Sequence, residues 1–426
     1  MTAPLSAHQP GWVSQIPSWL WVAGISAVGL LITIARSPVT ILHPELYAED
    51  GSVWFAEAYN SGPWRTLTWS HTGYLQTFPR LVADLGLTVP LRWLPSLFVA
   101  AGLLVQILPA VFLVTRRLEN VMPSPLVRCT FALAYLLMPN SQEVNVNLTN
   151  AQWHLALLAF LVIIAADGNV VWRIFDVIVV VLSGLTGPFV IVLLPICLVV
   201  YAVRRRRWTG ILAVVQLPLA LAQLAEVAFD NSYRSHLAPL GATGSLFVEL
   251  LGGQVVGGTV VGPPRPGALL ATRPLLGAVF LLGGFALVAL VFWKAPLELG
   301  LFNVFAGALL VAALASPVAS QTVAQWQVLD SDPGARYWFF PACALVADVL
   351  WAIGYLYARH RTMALVPLAL LACIAVFGVT NSFRYQKIEP RPDWVAEVAT
   401  FDRLPPGHTY SFEEVPSGWK LIITKH

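Results

Sequence analysis

Long uninterrupted apolar segments constrain this chain more than any other feature of its sequence. Turn-forming and charged residues separate about eleven such segments, each near the length of roughly 20 residues with which an α-helix crosses a bilayer. The predicted spans are 18–37, 92–115, 124–139, 150–166, 172–185, 188–203, 209–228, 273–293, 297–315, 337–357 and 363–380. Only 11% of the residues are charged, whereas soluble domains carry about 25%. The sequence therefore predicts an all-α polytopic membrane protein and excludes a soluble enzyme, a disordered chain and a nucleic-acid binder.

Two places decide how the spans are counted. The first apolar segment is too long for a signal peptide and follows no basic stretch, which predicts an uncleaved first helix. Residues 172–203 form one long apolar run that Gly184 to Pro188 interrupt. Because Gly and Pro break helices, we expect a tight re-entry there and two spans instead of one.

Basic residues predict the orientation of these spans. They lie in short loops that would all face the same side of the membrane if each predicted span crosses it once. These residues are Arg116, Arg117, Arg173, Arg204 to Arg207, Lys294, Arg359 and Arg361. Short basic loops face the cytoplasm. The sequence thus predicts a multi-pass protein of the plasma (inner) membrane, with a cytoplasmic N-terminus and an extracytoplasmic C-terminus.

Three outer segments are longer than turns, and function concentrates on such loops. We expect one transmembrane domain over 1–380, with a first outer loop at 38–91 and a second at 229–272. A short extracytoplasmic segment, 381–426, follows. Its pattern predicts a helix over 393–401 and strands near 409–412 and 419–424. A segment of this length is too short for an independent core, so we expect it to pack on the outer loops. The second loop is rich in Gly, and its sequence fits a mobile lid and a structural cover equally.

Polar residues cluster on this outer face. The first outer loop opens with the acidic pair Glu49-Asp50, and residues 53–59 and 73–88 suit short helices in the interface, the second carrying Arg80 and Asp84 on one side. The alternative is that Asp50 has only a structural role, as the N-cap of the first of these helices. Further residues predicted to face the same side are His71, Tyr74, Glu143, Asn150, Trp153, His154, Asp330, Asp332, Arg336 and Tyr337. Carboxylates, cations and aromatic rings in one place favour an anionic, polyhydroxylated, lipid-tethered ligand.

An acidic pair just after the first span, interfacial helices in that loop and about eleven spans resemble the GT-C superfamily of integral-membrane glycosyltransferases. The resemblance covers the chain to about residue 166 and the Arg336-Tyr337 region. It implies a polyprenyl-phosphate-linked sugar donor and a glycan or glycolipid acceptor on the outer face. The chain has neither the large soluble insertion of protein mannosyltransferases nor the C-terminal domain of oligosaccharyltransferases, which makes a protein acceptor a weaker expectation.

The resemblance implies roles for individual residues. The loop-one carboxylate that acts as the base corresponds to Asp50, with Glu49 next in line. The leaving lipid phosphate needs a cation opposite it, and Arg suits phosphate through its planar fork, so Arg336 and Arg80, together with His71, are the expected phosphate-binding residues. The expected substrate-binding residues are Glu143, Asn150, Trp153, His154, Tyr74 and Tyr337. No metal ligand and no cofactor is predicted, because the donor is already activated and arginine pairs with its phosphate.

Other interpretations stay open on the sequence. Arg336 also suits an interfacial anchor, Glu143 a helix cap, and His154 a hydrogen-bonded core residue. A transporter or flippase for lipid-linked glycans is the rival function, although inverted repeats and midplane helix breaks, which transporters show, are not seen in the sequence. A polymerase of lipid-linked glycans would share the outer active site but use a diphosphate donor.

Overall fold

A computed structural model describes residues 16–229, 237–262, 274–329, 334–385 and 393–426. The chain is mostly helical, with 70% of it in helices and little sheet. The helices are α1 Ser18–Arg36, α2 Pro38–Leu42, α3 Ala56–Ser61, α4 Thr77–Gly86, α5 Leu94–Leu113, α6 Pro125–Leu136, α7 Ala151–Ile164, α8 Val170–Gly184, α9 Val190–Arg204, α10 Arg207–Phe229, α11 Gly244–Val248, α12 Gly258–Val260, α13 Pro274–Lys294, α14 Leu297–Ala315, α15 Gln325–Leu329, α16 Ala335–Tyr357, α17 Leu365–Cys373, α18 Thr380–Ser382 and α19 Trp394–Arg403. Wide π-helical turns occupy Asp50–Phe55, Glu249–Gly257 and Ile374–Val379.

Every predicted span coincides with a helix in the described part of the chain. Seven helices are long and apolar enough to cross a membrane, as expected of an all-α membrane protein: Ser18–Arg36, Leu91–Leu113, Arg207–Phe229, Leu275–Lys294, Leu297–Ala315, Ala335–Tyr357 and Leu365–Ser382. Helices α6, α7 and α9 are apolar but shorter, so the count of eleven crossings stays a prediction. The break predicted at Gly184 to Pro188 is confirmed, because α8 ends at Gly184 and α9 begins at Val190.

The second outer loop contains a helix that the sequence did not indicate. Helix α11, the π turn Glu249–Gly257 and α12 form one continuous segment over Gly244–Val260. Leu250 and Val255 are buried in one cluster with Trp326 and Trp338. This packing favours a structural cover over a lid for these residues, while 230–236 and 263–273 lie outside the described residues.

The ends of the helices that were predicted to share the inner side do meet. The Arg117 guanidinium donates to both oxygens of Asp176 on α8, at 3.1 and 2.9 Å. The Trp208 indole donates to the same carboxylate at 2.8 Å, and Arg204 pairs with Glu298 on α14. The inner loops therefore lie on one face of the bundle, and which face is cytoplasmic stays a prediction.

The first outer loop and the C-terminal tail form a second, smaller core on the opposite face. Trp54, Phe55, Phe401, Phe412 and Leu421 belong to one buried cluster. The tail folds as α19 followed by two antiparallel strands over Thr409–Glu413 and Lys420–Thr424. The predicted packing of the tail on the outer loops is confirmed.

Four short strands complete the fold of the described residues. Strands β1 Ser70–His71 and β2 Tyr74–Leu75 pair in the first outer loop, and β3 Thr409–Glu413 pairs with β4 Lys420–Thr424 in the tail. Residues 73–75 were predicted to begin an amphipathic helix, and instead they belong to the turn and strand that precede α4. Burial of Leu75 against the helices favours the extended conformation here.

Candidate functional site

A cavity of about 770 Å³ opens among the predicted outer segments. Its wall comes from five parts of the chain: the first outer loop with Ser37, residues 142–153, the segment 318–321 with the start of α16, Tyr385, and the tail turn 415–419. These parts are far apart in sequence and are brought together by the helices that precede and follow them. The cavity is the natural candidate for a binding or catalytic site.

Glu49 and Asp50 occupy different positions relative to this cavity. Glu49 lines it. Burial raises the pKa of the Glu49 carboxyl, and the charge of Arg336 and a hydrogen bond from Thr149 oppose that shift in part. A carboxyl group with a raised pKa is a stronger base than a free carboxylate, which suits it to accept a proton.

Asp50 lies behind the wall and is held by hydrogen bonds. Its Oδ1 accepts from the Thr149 amide at 2.9 Å and from the Thr149 hydroxyl at 2.8 Å, and its Oδ2 accepts from the Tyr47 amide at 3.3 Å. Burial raises the pKa of Asp50 to about 7 although these bonds stabilise its ionised form. Asp50 thus joins the acidic loop to the residues before α7 and does more than cap a local helix.

Arg336 lines the cavity at the second position of α16 and is fixed by Glu143. The Arg336 amide donates to Glu143 Oε2 at 2.7 Å, and Nη1 forms an ion pair with Glu143 Oε1. Nη2 donates to the Val318 carbonyl at 2.7 Å. Burial raises the pKa of Glu143, and Arg336 lowers it in part. Glu143 therefore orients Arg336, and because it also lines the cavity, its role in substrate binding stays a prediction.

The expected aromatic and amide residues line the cavity as well. These are His71, Tyr74, Asn150, Trp153 and Tyr337. Burial raises the pKa of Tyr74 and of the neighbouring Tyr47, so both phenols stay protonated and able to donate hydrogen bonds. The site thus offers a carboxylate, an arginine, phenol hydroxyls and amides around one space.

Two residues predicted to bind ligand are absent from the described wall of the cavity. Arg80 is fully buried, forms a 2.5 Å ion pair with Glu57 and lies 5.0 Å from the Trp54 ring centre. His154 is hydrogen-bonded through both ring nitrogens, to the Tyr135 hydroxyl at 2.7 Å and the Val144 carbonyl at 2.8 Å. These placements correct the predictions for both residues, because Arg80 pairs with Glu57 inside the protein and both ring nitrogens of His154 are hydrogen-bonded there.

The tail contributes a part of the wall that the sequence did not indicate. The Val415 carbonyl accepts from the Ala48 amide at 2.5 Å, and the Val415 amide donates to the Leu46 carbonyl at 3.1 Å. The Ser52 amide donates to the Glu414 carboxylate at 3.1 Å, and that carboxylate packs against Gly51, where a Cβ would collide with it. These contacts hold Trp419 at the cavity beside the acidic loop. Short polar tails carry no sequence pattern that indicates such a role.

Within the described ranges, no three His, Cys, Asp or Glu side chains are grouped so as to hold a metal ion. Metal independence stays a prediction. Asp330 and Asp332 lie outside the described residues.

No protein-family model matches the chain, and no curated protein sequence matches it. The class that the fold and the site define is a multi-pass helical membrane protein with a polar cavity at one end of its helices. What the cavity binds is therefore inferred from the chemistry of the residues that line it.

Proposed function

We propose that the chain is an integral-membrane glycosyltransferase of the GT-C type. It moves a sugar from a polyprenyl-phosphate donor to a glycan or glycolipid acceptor on the outer face of the plasma membrane. The observation that carries the proposal is that Glu49 and Arg336 line one cavity and influence each other electrostatically.

The two charges suit the two ends of a glycosyl transfer. Glu49 accepts the proton of the acceptor hydroxyl while that oxygen attacks the anomeric carbon. The bond from the anomeric carbon to the phosphate oxygen breaks, and polyprenyl phosphate leaves with the bonding electrons. Arg336, oriented by Glu143, pairs with the phosphate and stabilises its developing charge.

Asp50 supports this step as a positioning residue. Its three hydrogen bonds leave it inside the protein, and they connect the loop that carries Glu49 to Thr149, another residue of the cavity wall. We therefore place the base at Glu49, whereas the resemblance alone favours Asp50.

The test is transfer activity in membranes supplied with labelled polyprenyl-phosphate sugars. Glu49→Gln should lower kcat by about 10²- to 10⁴-fold with little change in donor KM, because general-base catalysis contributes that much. Glu413→Gln is a matched control, since Glu413 pairs with Lys420 on the exposed hairpin and exposed pairs contribute only about 0–1 kcal/mol.

Three outcomes would contradict parts of the proposal. A folded Glu49→Gln variant that transfers at the wild-type rate removes Glu49 as the base. If Asp50→Asn abolishes transfer and Glu49→Gln does not, the base is Asp50. A wild-type protein that transfers sugar from no donor but moves lipid-linked glycan between leaflets is a flippase.

A further inference from the structure

Four tyrosines of the described chain line the cavity, and they differ in what their hydroxyl groups contact. They are Tyr47, Tyr74, Tyr337 and Tyr385. The Tyr337 hydroxyl donates to the Val318 carbonyl at 3.1 Å. The Tyr385 hydroxyl accepts from the Asn145 side-chain amide at 2.7 Å, and the Tyr74 hydroxyl interacts with neighbouring polar side chains. Three of these hydroxyls are therefore engaged within the protein.

Tyr47 differs from the other three. Among the described residues, no group forms a hydrogen bond with its hydroxyl. Its oxygen keeps accessible surface, and the residue is half-buried on the cavity wall. A partly buried phenol usually finds a hydrogen-bond partner. At this position the partner can come from the cavity, because a ligand there can touch the oxygen.

The charged groups of the site surround the Tyr47 hydroxyl. Among the charges, Glu143 and Arg336 act on it most strongly, followed by Glu49. These interactions act on the phenol oxygen, so that atom lies near the Glu143–Arg336 pair and also near the proposed base. Burial, together with the carboxylates, raises the pKa of Tyr47. The hydroxyl therefore stays protonated and is available as a hydrogen-bond donor.

The backbone holds Tyr47 in this place. Its amide donates to Asp50 Oδ2 at 3.3 Å, and the residue pairs with Val415 of the tail in a parallel bridge. Ala48, the next residue, has a positive φ of 51°, which is unfavourable for a residue with a Cβ. The Ala48 amide donates to the Val415 carbonyl at 2.5 Å and so stabilises this conformation. Such a backbone fixes the side chain before a ligand binds.

Arg336 alone does not complete a phosphate site. One terminal nitrogen of its guanidinium pairs with Glu143 and the other donates to the Val318 carbonyl. Part of the fork is thus used inside the protein, and Glu143 compensates its charge. A phosphate that becomes more negative as its sugar leaves is stabilised by further donors aimed at it. Hydrogen bonds to a charged oxygen are the strong ones.

We propose that Tyr47 is a further catalytic residue of the transfer, whose hydroxyl donates a hydrogen bond to the phosphate that Arg336 pairs with. When the bond from the anomeric carbon to the phosphate oxygen breaks, the electron pair stays on the phosphate, and this hydrogen bond becomes stronger. Tyr47 keeps its proton, while the proton of the acceptor hydroxyl goes to Glu49. The inference rests on the proposed function for the identity of the ligand.

Equilibrium binding tests this contact without any transfer. Purified protein in micelles is titrated with labelled polyprenyl phosphate, which is then displaced by unlabelled polyprenyl phosphate or by polyprenol, the same lipid without its phosphate. Tyr47→Phe removes only the hydroxyl. It should weaken the binding of polyprenyl phosphate about 10- to 100-fold, because a hydrogen bond to a charged group contributes that much. The binding of polyprenol should not change.

Two further measurements separate this role from a structural one. In the transfer assay, Tyr47→Phe should lower kcat more than it raises donor KM, because the hydrogen bond is strongest in the transition state. In SDS titration without lipid, Tyr47→Phe should be as stable as the wild type, because its hydroxyl has no partner to lose in the described structure.

Tyr59→Phe is the matched control. Tyr59 lies on α3 in the same outer loop and does not belong to the described cavity wall. The change removes the same hydroxyl group at a different place. Tyr59→Phe should therefore bind both lipids and transfer sugar as the wild type does.

The outcomes separate this inference from the proposed function. Unchanged affinity of Tyr47→Phe for polyprenyl phosphate, an equal loss for polyprenol, or a wild type that binds no polyprenyl phosphate overturns the contact. A loss of stability without lipid overturns it too, since the hydroxyl then serves the protein. Transfer by Tyr47→Phe with wild-type kcat and KM overturns the contact and leaves the glycosyltransferase intact. Binding of polyprenyl phosphate that depends on Tyr47, in a protein that transfers no sugar, upholds the contact and contradicts the glycosyltransferase.

Discussion

The Thr149 hydroxyl links the acidic loop to the residues before α7, and its removal gives a direct test of the site. It donates to Asp50 Oδ1 at 2.8 Å and accepts from the Trp54 indole N–H at 3.1 Å. Thr149→Val removes both bonds and keeps the shape of the side chain. The Asp50 carboxylate keeps its bonds from the Thr149 and Tyr47 amides.

The expected loss of stability follows from these two bonds. A hydrogen bond to an ionised carboxylate contributes about 1.5–3 kcal/mol, and a buried donor left without a partner costs about 1–3 kcal/mol. Trp54 is fully buried, so water cannot replace the lost acceptor. We expect Thr149→Val to lower the free energy of unfolding by about 2.5–6 kcal/mol. The loss should be larger at about pH 8 than at about pH 5, because Asp50, with its pKa raised to about 7, is ionised only at the higher pH.

The same change should shift the pH dependence of transfer. The Thr149 side chain lowers the pKa of Glu49 and of Asp50, so the variant raises both pKa values. Since a base must be ionised to accept a proton, the acid limb of kcat/KM should move to higher pH.

The assays are SDS titration in mixed micelles for stability and kcat/KM against pH for transfer. Thr33→Val on α1 is the control, because that buried hydroxyl donates only to a carbonyl of its own helix, Gly29. An unchanged stability and an unshifted acid limb in Thr149→Val would refute the assigned network.

Three further changes test other parts of the site. Arg336→Lys should raise donor KM about 10- to 100-fold, because lysine cannot contact Glu143, Val318 and a phosphate at once. A normal KM in steady-state kinetics would remove Arg336 from the phosphate site. Phe412→Ala should destabilise the outer core by about 3–5 kcal/mol, measured by the same SDS titration, and a near-neutral effect would contradict the packing of the tail. Arg80→Met should leave donor KM unchanged and lower the stability by about 3 kcal/mol, because it leaves the partly buried Glu57 carboxylate without its cation; a large rise in KM would return Arg80 to the phosphate site.

The sequence predicts the helices well because the bilayer imposes their length and composition. The predicted span 150–166 and helix Ala151–Ile164 differ by two residues or fewer at each end. Segment Gly244–Val260 was missed because Gly-rich sequences have low helix propensity. Its burial against Trp326 and Trp338 overrides that local preference.

The site is only partly accessible from sequence. Topology alone predicts that Glu49, Glu143 and Arg336 share a face. Which side chain reaches the cavity depends on packing: Glu49 lines it, and Asp50, the next residue, lies behind it. Gln76 and Gln152 carry no pattern that sets them apart from other amides in interfacial loops, so only the fold places them at the cavity.

The bridge between Tyr47 and Val415 has a consequence for the order of synthesis. About 370 residues separate the two, so at about 5–20 residues per second the ribosome delivers the tail roughly 20–70 s after the first outer loop. During that interval Trp54 and Phe55 lack the Phe412 and Leu421 side chains that complete their core. The acidic loop therefore has apolar surface uncovered until the tail hairpin, which is translated later, finishes the wall. Ribosome stalling before the hairpin would leave an inserted but incomplete chain, a natural substrate for chaperones and proteases.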